Sequence, residues 1–274
     1  MDPKEKAEAF QKLHLGPGLL ILANAWDAAS ARVFEIEGMR AIGTGSAGVA
    51  FSNGYPDDED IPRDVMLAAI RAIVEAVGVP VTADLLTGLG RDDDEVAQTI
   101  RDVIAIGAAG VNIEDGAGPH LADIDAQVAR IRIVCEVARD AGVPIVVNAR
   151  TDNYWLKLGD DAQRLKTSIE RANRYREAGA HCLFVPGATD RDVIATLVRE
   201  IDGPLNILAV PGCPSIPELQ DLGVRRLSQG SGPMRASMML TRRIARELLD
   251  DGTYRRFHDD AIPYPEANAM FRPR

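Results

Sequence analysis

The stretch ARDAGVPIVVNARTD (138–152) changes period halfway along. Its first residues close a longer amphipathic pattern, DAQVARIRIVCEVARDAG, whose apolar residues recur at helical spacing and which stops on Gly142. The next run, PIVVNAR (144–150), is apolar, opens on proline and is too short for a helix, so it reads as a buried strand. Polar side chains, Asn148, Arg150 and Asp152, appear only as the strand ends.

The same grammar recurs on both sides. Seven further apolar runs are LLILAN (19–24), AIGT (41–44), PVTAD (80–84), GVNIED (110–115), HCLFVPG (181–187), PLNILAV (204–210) and VRRLSQG (224–230). Helical patterns lie between them. DAASARVFEIEG opens on a capping Asp27 and stops at Gly38; DDDEVAQTIRDVIAIG opens on acids and stops at Gly107; DAQRLKTSIERANRYREAG stops at Gly179. Strand, helix and glycine stop repeat every ~30–40 residues, the length of a βα unit. Eight such units with no strand-only region predict a parallel (β/α)8 TIM barrel. An open doubly wound sheet would want a glycine-rich phosphate turn after its first strand, and LANAWDAAS has none. The expected organisation is one barrel domain over 1–252, then an arm, 253–274, packing on the barrel or on a neighbouring subunit.

Composition narrows the chemistry. Of 274 residues, 46% are hydrophobic but only 5% aromatic, so the core is aliphatic. The formal charge of −10 argues against nucleic acid, which needs basic surface. It leaves room for an anionic substrate, because a few arginines make a local cationic pocket. Cys135, Cys182 and Cys213 are too scattered for a disulfide framework or a CxxC pair. The charged N-terminus has no signal-peptide core, and no apolar run approaches a membrane span. A soluble cytoplasmic protein is expected, with no membrane partner.

In a (β/α)8 barrel the active site is assembled at the C-terminal ends of the strands. Polar residues there are Asn24, Trp26 and Asp27; Thr44 and Ser46; Asp84; Glu114 and Asp115; Asn148, Arg150 and Asp152; and Asn206. Asp84 and Glu114 make a plausible hard-cation site for Mg2+, which prefers oxygen ligands. Arg150 offers a guanidinium fork for a carboxylate or phosphonate. GTGSAGVAFSNG (43–54) is rich in small residues and suits either an anion-binding run of backbone N–H groups or a plain loop. Each acid also fits a helix cap, and Arg150 also fits a purely structural ion pair. The four histidines have no metal spacing.

Seven segments then align with a known group. NAWDAASARVFE, GTGSAGVAFSNGYPD, VTADLLTGLG, GVNIEDG, NARTD, RANRYREAGAHCLFVPG and GVRRLSQGSGPMRAS, in this order, resemble the isocitrate lyase/phosphoenolpyruvate mutase superfamily over residues 15–245. The resemblance implies a (β/α)8 barrel whose last helix is exchanged with a neighbour in a homotetramer, a dimer of dimers. It also implies Mg2+ and a small 2-oxo acid that passes through an enolate. Carried over by motif, Ser46, Ala47 and Gly48 would bind the oxo-acid end, with Arg150 and Asn206 completing the substrate site. Asp84 would be the metal ligand, with Glu114 as a further metal-shell carboxylate. Asp57, Glu114 and Arg150 would be the catalytic set.

Two departures stand out. The superfamily pattern is Asp-x-Asp followed by Thr-Gly-Tyr-Gly; here the second acid is Leu86 and the tyrosine is Leu89. The lyases carry a Lys-Arg-Cys-Gly or Lys-Lys-Cys-Gly loop after the position of Glu114; here it reads DGAGPHLADIDAQ, whose one imidazole is His120. The expected function is a Mg2+-dependent lyase cleaving a C–C bond beside the oxo group of a small 2-oxo or 2-hydroxy di- or tricarboxylic acid. The alternatives are C–P bond chemistry and a 2-oxo acid binding protein without turnover.

Overall fold

Helix ends explain why the chain turns where it does. In the computed structural model, which describes residues 2–57, 61–259 and 261–272, Asp27, Asp92, Asp160 and Asp190 each stand just before a helix and accept backbone N–H bonds from its first turn. This satisfies donors that the helix itself cannot reach. Gly107 and Gly223 end their helices in the left-handed region, where a side chain would be strained.

Between the caps run eight parallel strands: β1 Leu20–Ala25, β2 Ile42–Thr44, β3 Val81–Asp84, β4 Gly110–Glu114, β5 Val146–Arg150, β6 Cys182–Phe184, β7 Leu205–Leu208 and β8 Arg226–Ser228. Each pairs with the next, and β8 pairs back with β1, closing a barrel. Every apolar run read from the sequence holds one of them. The helices, in chain order, are α1 Pro3–Leu15, α2 Ala28–Ile36, α3 Ser46–Ser52, α4 Arg63–Ala76, α5 Asp93–Ile106, α6 Ile124–Asp140, α7 Asp161–Glu177, α8 Arg191–Glu200, α9 Ile216–Leu222, α10 Gly232–Arg246, α11 Arg255–Asp259 and α12 Tyr264–Met270. The stretch expected as a nest or loop is thus partly a helix, α3. Between β4 and α6, residues 116–117 pair antiparallel with 120–121 in a small hairpin.

The main apolar core lies between strands and helices and runs around the ring. A second cluster closes the N-terminal end, where Ala7 and Phe10 of α1 pack with Leu20, Leu22, Ala41, Ala109 and Val146. Gly110 makes that plug possible: a Cβ there would lie 2.8 Å from the Phe10 ring. The barrel interior, by contrast, is polar. Arg226 on β8 bonds Asn112 on β4, on the opposite side of the ring, so both side chains cross the inside.

Register sets the mouth. Glu114 of β4 is level with Arg150 of β5, and Asp84 of β3 is level with Asn112 of β4. Beyond β8, α10 has no buried residue and exposes Met238, Met239 and Leu240. Further on, the Glu247 carboxylate accepts N–H bonds from Arg255 and Arg256, and Arg32 Nε donates to the Met270 carbonyl at 2.7 Å. No helix among the described residues is long and apolar enough to cross a membrane.

Candidate active site

The mouth holds an inner and an outer chamber. Asn24 organises the inner one. Its Nδ2 donates to the Thr44 carbonyl at 2.9 Å, and its Oδ1 accepts from the N–H groups of Gln229 and Gly230 at 2.8 and 2.9 Å. One amide therefore ties β1, β2 and the segment after β8. Next to it, the Asp84 N–H donates to Thr44 Oγ1 at 2.9 Å, and Asp84 Oδ2 accepts from the Ser46 N–H at 3.0 Å. The first amide of α3 is thus already used by a carboxylate. The inner chamber measures about 110 Å3 and is lined by Ser46, Ala47, Asp57, Asp84, Asn112 and Arg150, among others. Trp155, Phe184 and Leu208 form its apolar side.

Arg150 stands between the chambers. Its Nε donates to Asp152 Oδ1 at 2.7 Å, and its Nη1 lies 2.6 Å from Glu114 Oε2, a close ion pair without hydrogen-bond alignment. The Phe184 ring lies 5.7 Å from the guanidinium carbon. Burial works against the Arg150 charge, but Glu114, Asp152 and Asp84 outweigh it and hold the pKa above the usual arginine range. Burial, followed by Asp152, Asp84 and Asp57, pushes Glu114 up to about 8 against the opposing pull of Arg150. Asp152 is raised too, chiefly by burial. The outer chamber, about 430 Å3, is lined by Ser46, Asp57, Leu86, Glu114, Asp152 and Trp155, together with the start of the hairpin.

A second charge cluster holds this wall in place. Fully buried Asp115 accepts from Arg171 Nε at 2.7 Å, from the Tyr175 hydroxyl at 2.6 Å and from the Asp152 N–H at 2.8 Å. Arg171 also donates to the Ala122 carbonyl at 2.6 Å. Helix α7 therefore fixes the end of β4, the end of the hairpin and the residue that pairs with Arg150. Gly116 allows the close approach, since a Cβ there would lie 2.8 Å from Asp152 Oδ2.

Of the residues expected from sequence, Ser46, Ala47, Asp57, Asp84 and Arg150 line the inner chamber, and Glu114 lines the outer one. Gly48 and Asn206 line neither. Gly48 sits inside α3, where a Cβ would come within 3.0 Å of Trp26 Cβ. Asn206 is fully buried, its Oδ1 accepting from the Ser228 hydroxyl at 3.3 Å. Its side chain is taken up by Ser228, which itself lines the inner chamber. Arg150 is not an unattached fork awaiting substrate, because two carboxylates already hold it. His120 is exposed in the hairpin and lines neither chamber.

Asn112, Trp155, Phe184, Leu208 and Ser228–Ser231 line the inner chamber without having been singled out. Asn112 had a signal: it is a polar residue in an apolar run, two before Glu114 and so on the same face of the strand. Leu86, buried in the outer wall, has a φ of 53°, a left-handed conformation costly for a leucine.

No cluster of three or more His, Cys, Asp or Glu side chains suited to a metal occurs among the described residues. Mg2+ does not require one, since it commonly binds through one or two carboxylates and keeps its waters. The oxygen-only acidic set of Asp57, Asp84, Glu114 and Asp152, faced by Arg150 as the one cation in the described lining, suits a hard dication.

Comparison with known proteins places the chain in a family. The phosphoenolpyruvate phosphomutase family profile matches residues 10–249. An uncharacterised protein of Mycobacterium tuberculosis is 38% identical over 261 residues, 95% of each chain. The 2-methylisocitrate lyase of Escherichia coli is 34% identical over 163 residues, 56% of this chain and 52% of the enzyme. A Burkholderia cenocepacia J2315 crystal structure described as a lyase/mutase superposes with a TM-score of 0.92 at 39% identity, covering 99% of this chain and 97% of that one.

Proposed function

The chain belongs to the isocitrate lyase/phosphoenolpyruvate mutase superfamily of lyases and mutases, and on that premise we propose that it is a Mg2+-dependent lyase cleaving a C–C bond beside the oxo or hydroxy carbon of a small acid. The observation that carries this reading is the wall between the chambers, where Arg150 is braced by Glu114 and Asp152 within reach of Asp84 and Asp57. The inner chamber is the size of a carboxylate–oxo head, and the outer one leaves room for the departing part.

Asp84 would hold the metal, with Asp57 and Glu114 beside it. The ion, when bound, polarises the oxo oxygen and stabilises negative charge on it. The chain's own groups do the rest. Arg150 carries a fixed positive charge at the chamber wall before substrate enters, so no reorganisation is needed there. Burial and the neighbouring acids raise Glu114, which makes its carboxyl the group of this wall suited to deliver a proton to the fragment that gains charge. Trp155, Phe184 and Leu208 exclude water from one side. A proton source on Glu114 is consistent with a β4–α6 segment that has neither Lys-Lys nor Cys.

The test is an assay panel of oxaloacetate, methylisocitrate, isocitrate and phosphonopyruvate with Mg2+. Turnover of a C–C substrate is expected. Inactivity on all four with Mg2+ shown to bind would remove the lyase reading. The family profile's own description favours C–P chemistry as the second reading, and phosphate or phosphoenolpyruvate formed from phosphonopyruvate would establish it. Binding of oxalate without any turnover would point to a binding protein. We further propose a homotetramer in which α10 is exchanged between subunits, supported by its exposed Met238, Met239 and Leu240. Analytical ultracentrifugation showing a monomer would dismiss it.

A further inference from the structure

Arg226 is the largest fully buried side chain among the described residues. Asp84 acts on it through space but is not in a salt bridge with it, and its Nε and Nη1 have no hydrogen-bond partner among the described residues. It lies over the Phe10 ring, 6.0 Å from the centroid, and makes one side-chain hydrogen bond, Nη2 to Asn112 Oδ1 at 3.1 Å. A bare guanidinium inside a barrel is costly, so what it does to Asn112 matters.

A guanidinium only donates. The Asn112 atom that faces it is therefore the oxygen, and the amide cannot be turned over without setting N–H against N–H. Asn148 Nδ2 donates to the same oxygen at 2.8 Å. With Oδ1 held twice from inside the barrel, Nδ2 diverges from it across the planar amide. Asn112 lines the inner chamber, and among the described residues no acceptor takes the Nδ2 hydrogens. Asn112 is also level with Asp84 across the β3–β4 pairing. Beside Asp84 the chamber wall thus presents an amide donor held in one orientation.

We propose that Asn112 is a substrate-positioning residue whose Nδ2 donates to a carboxylate or enolate oxygen of the bound head, and that Arg226 is the positioning residue that sets this orientation from below. The inference rests on the 2-oxo acid reading of the site. It adds a neutral donor, two residues below Glu114 on the strand beside that of Arg150, to the charge that Arg150 supplies.

The experiment is calorimetric titration of oxalate and of pyruvate, with Mg2+ present, into wild-type protein, Asn112→Asp and Arg226→Met, with thermal melts in parallel. Asn112→Asp keeps the shape, gives Arg226 a carboxylate and exchanges the inward donor for an acceptor. Its affinity for oxalate should fall by about tenfold or more, the worth of a hydrogen bond to a charged group, while its melting temperature equals or exceeds that of wild type. Arg226→Met leaves Asn148 alone to hold the amide, and affinity should fall by about threefold or more without loss of melting temperature. Oxalate binding by Asn112→Asp within about twofold of wild type overturns the proposal. So does weakened binding that accompanies lowered melting temperatures in both variants, which would assign Asn112 to the fold alone. Wild-type protein that binds neither acid overturns the 2-oxo acid reading itself, so the two failures appear in different samples.

Discussion

Arg150 and Arg226 belong to strands of one barrel, Arg150 partly buried at the mouth and Arg226 fully buried within, and their surroundings differ. At the mouth, Arg150 meets Glu114 and Asp152, and Arg171 behind it meets Asp115. Towards the α1 end, Arg226 has an aromatic ring and one amide. His14, at that same end, donates through Nδ1 to the Phe10 carbonyl at 2.9 Å and is lowered to about 3 by burial, with Arg226 and His181 adding to the effect. The mouth sets its acids against arginines; the other end strips histidine of its charge and leaves Arg226 without a carboxylate in contact. Pairing makes the mouth rigid around a fixed field, which a reaction that develops charge can use. The bare end costs stability unless Arg226 serves something above it.

That contrast can be broken in several ways. The largest effect is expected for Asp115→Ala, which strands Arg171 and frees the Asp152 segment; about 3–5 kcal/mol should be lost in urea unfolding. A smaller loss would mean that the clamp is wet and the mouth less rigid than its contacts indicate.

The second test is pH. His14 has a folded pKa below its unfolded value of 6.5, so the unfolded chain binds the extra proton first. Stability should therefore fall as pH drops from 6.5 towards 3, by roughly 3–4 kcal/mol. His14→Gln should flatten that limb. Glu114 has the opposite sign: its folded pKa is raised from 4.5 to about 8, so the stability linked to it is full below 4.5 and is lost as pH rises through 8. Glu114→Gln should flatten that upper limb. If the two variants alter the same limb, the ends do not differ as described.

Replacing each arginine by methionine sharpens the comparison. Arg226→Met should raise stability by about 1–2 kcal/mol, because an unpaired buried charge is exchanged for apolar volume. Arg150→Met should lower it by a similar amount, because buried Asp152 loses its cation and Glu114 loses the charge that opposes its burial. Changes of equal sign in thermal melts would show that both ends treat charge alike.

The smallest effect is at Leu86. Leu86→Asp places an acid where the left-handed backbone tolerates it better and adds an outer carboxylate to the acidic wall. Mg2+ affinity measured by titration should rise by about tenfold or less. No gain would mean that this position faces away from the ion.

The sequence by itself determined the ring. Apolar runs, aspartate caps and glycine stops are local signals, and eight of them in series leave a closed parallel barrel as the natural way to bury every strand. It also placed Asp84, Glu114 and Arg150 at strand ends, because the end of an apolar run is visible in the chain. Tertiary structure alone decided what those ends face. Arg226 and Asn112 are 114 positions apart, and they meet only because closure sets β8 opposite β4. Asn206 and Asn112 look alike in sequence, each an asparagine within an apolar run. One is enclosed against Ser228 and the other lines the chamber, because each meets a different neighbour once the ring has closed. The role of Phe10 and His14 as part of the plug was equally unreadable in MDPKEKAEAFQKLH, since that helix acquires its apolar target only when the first and fifth strands have come together beneath it.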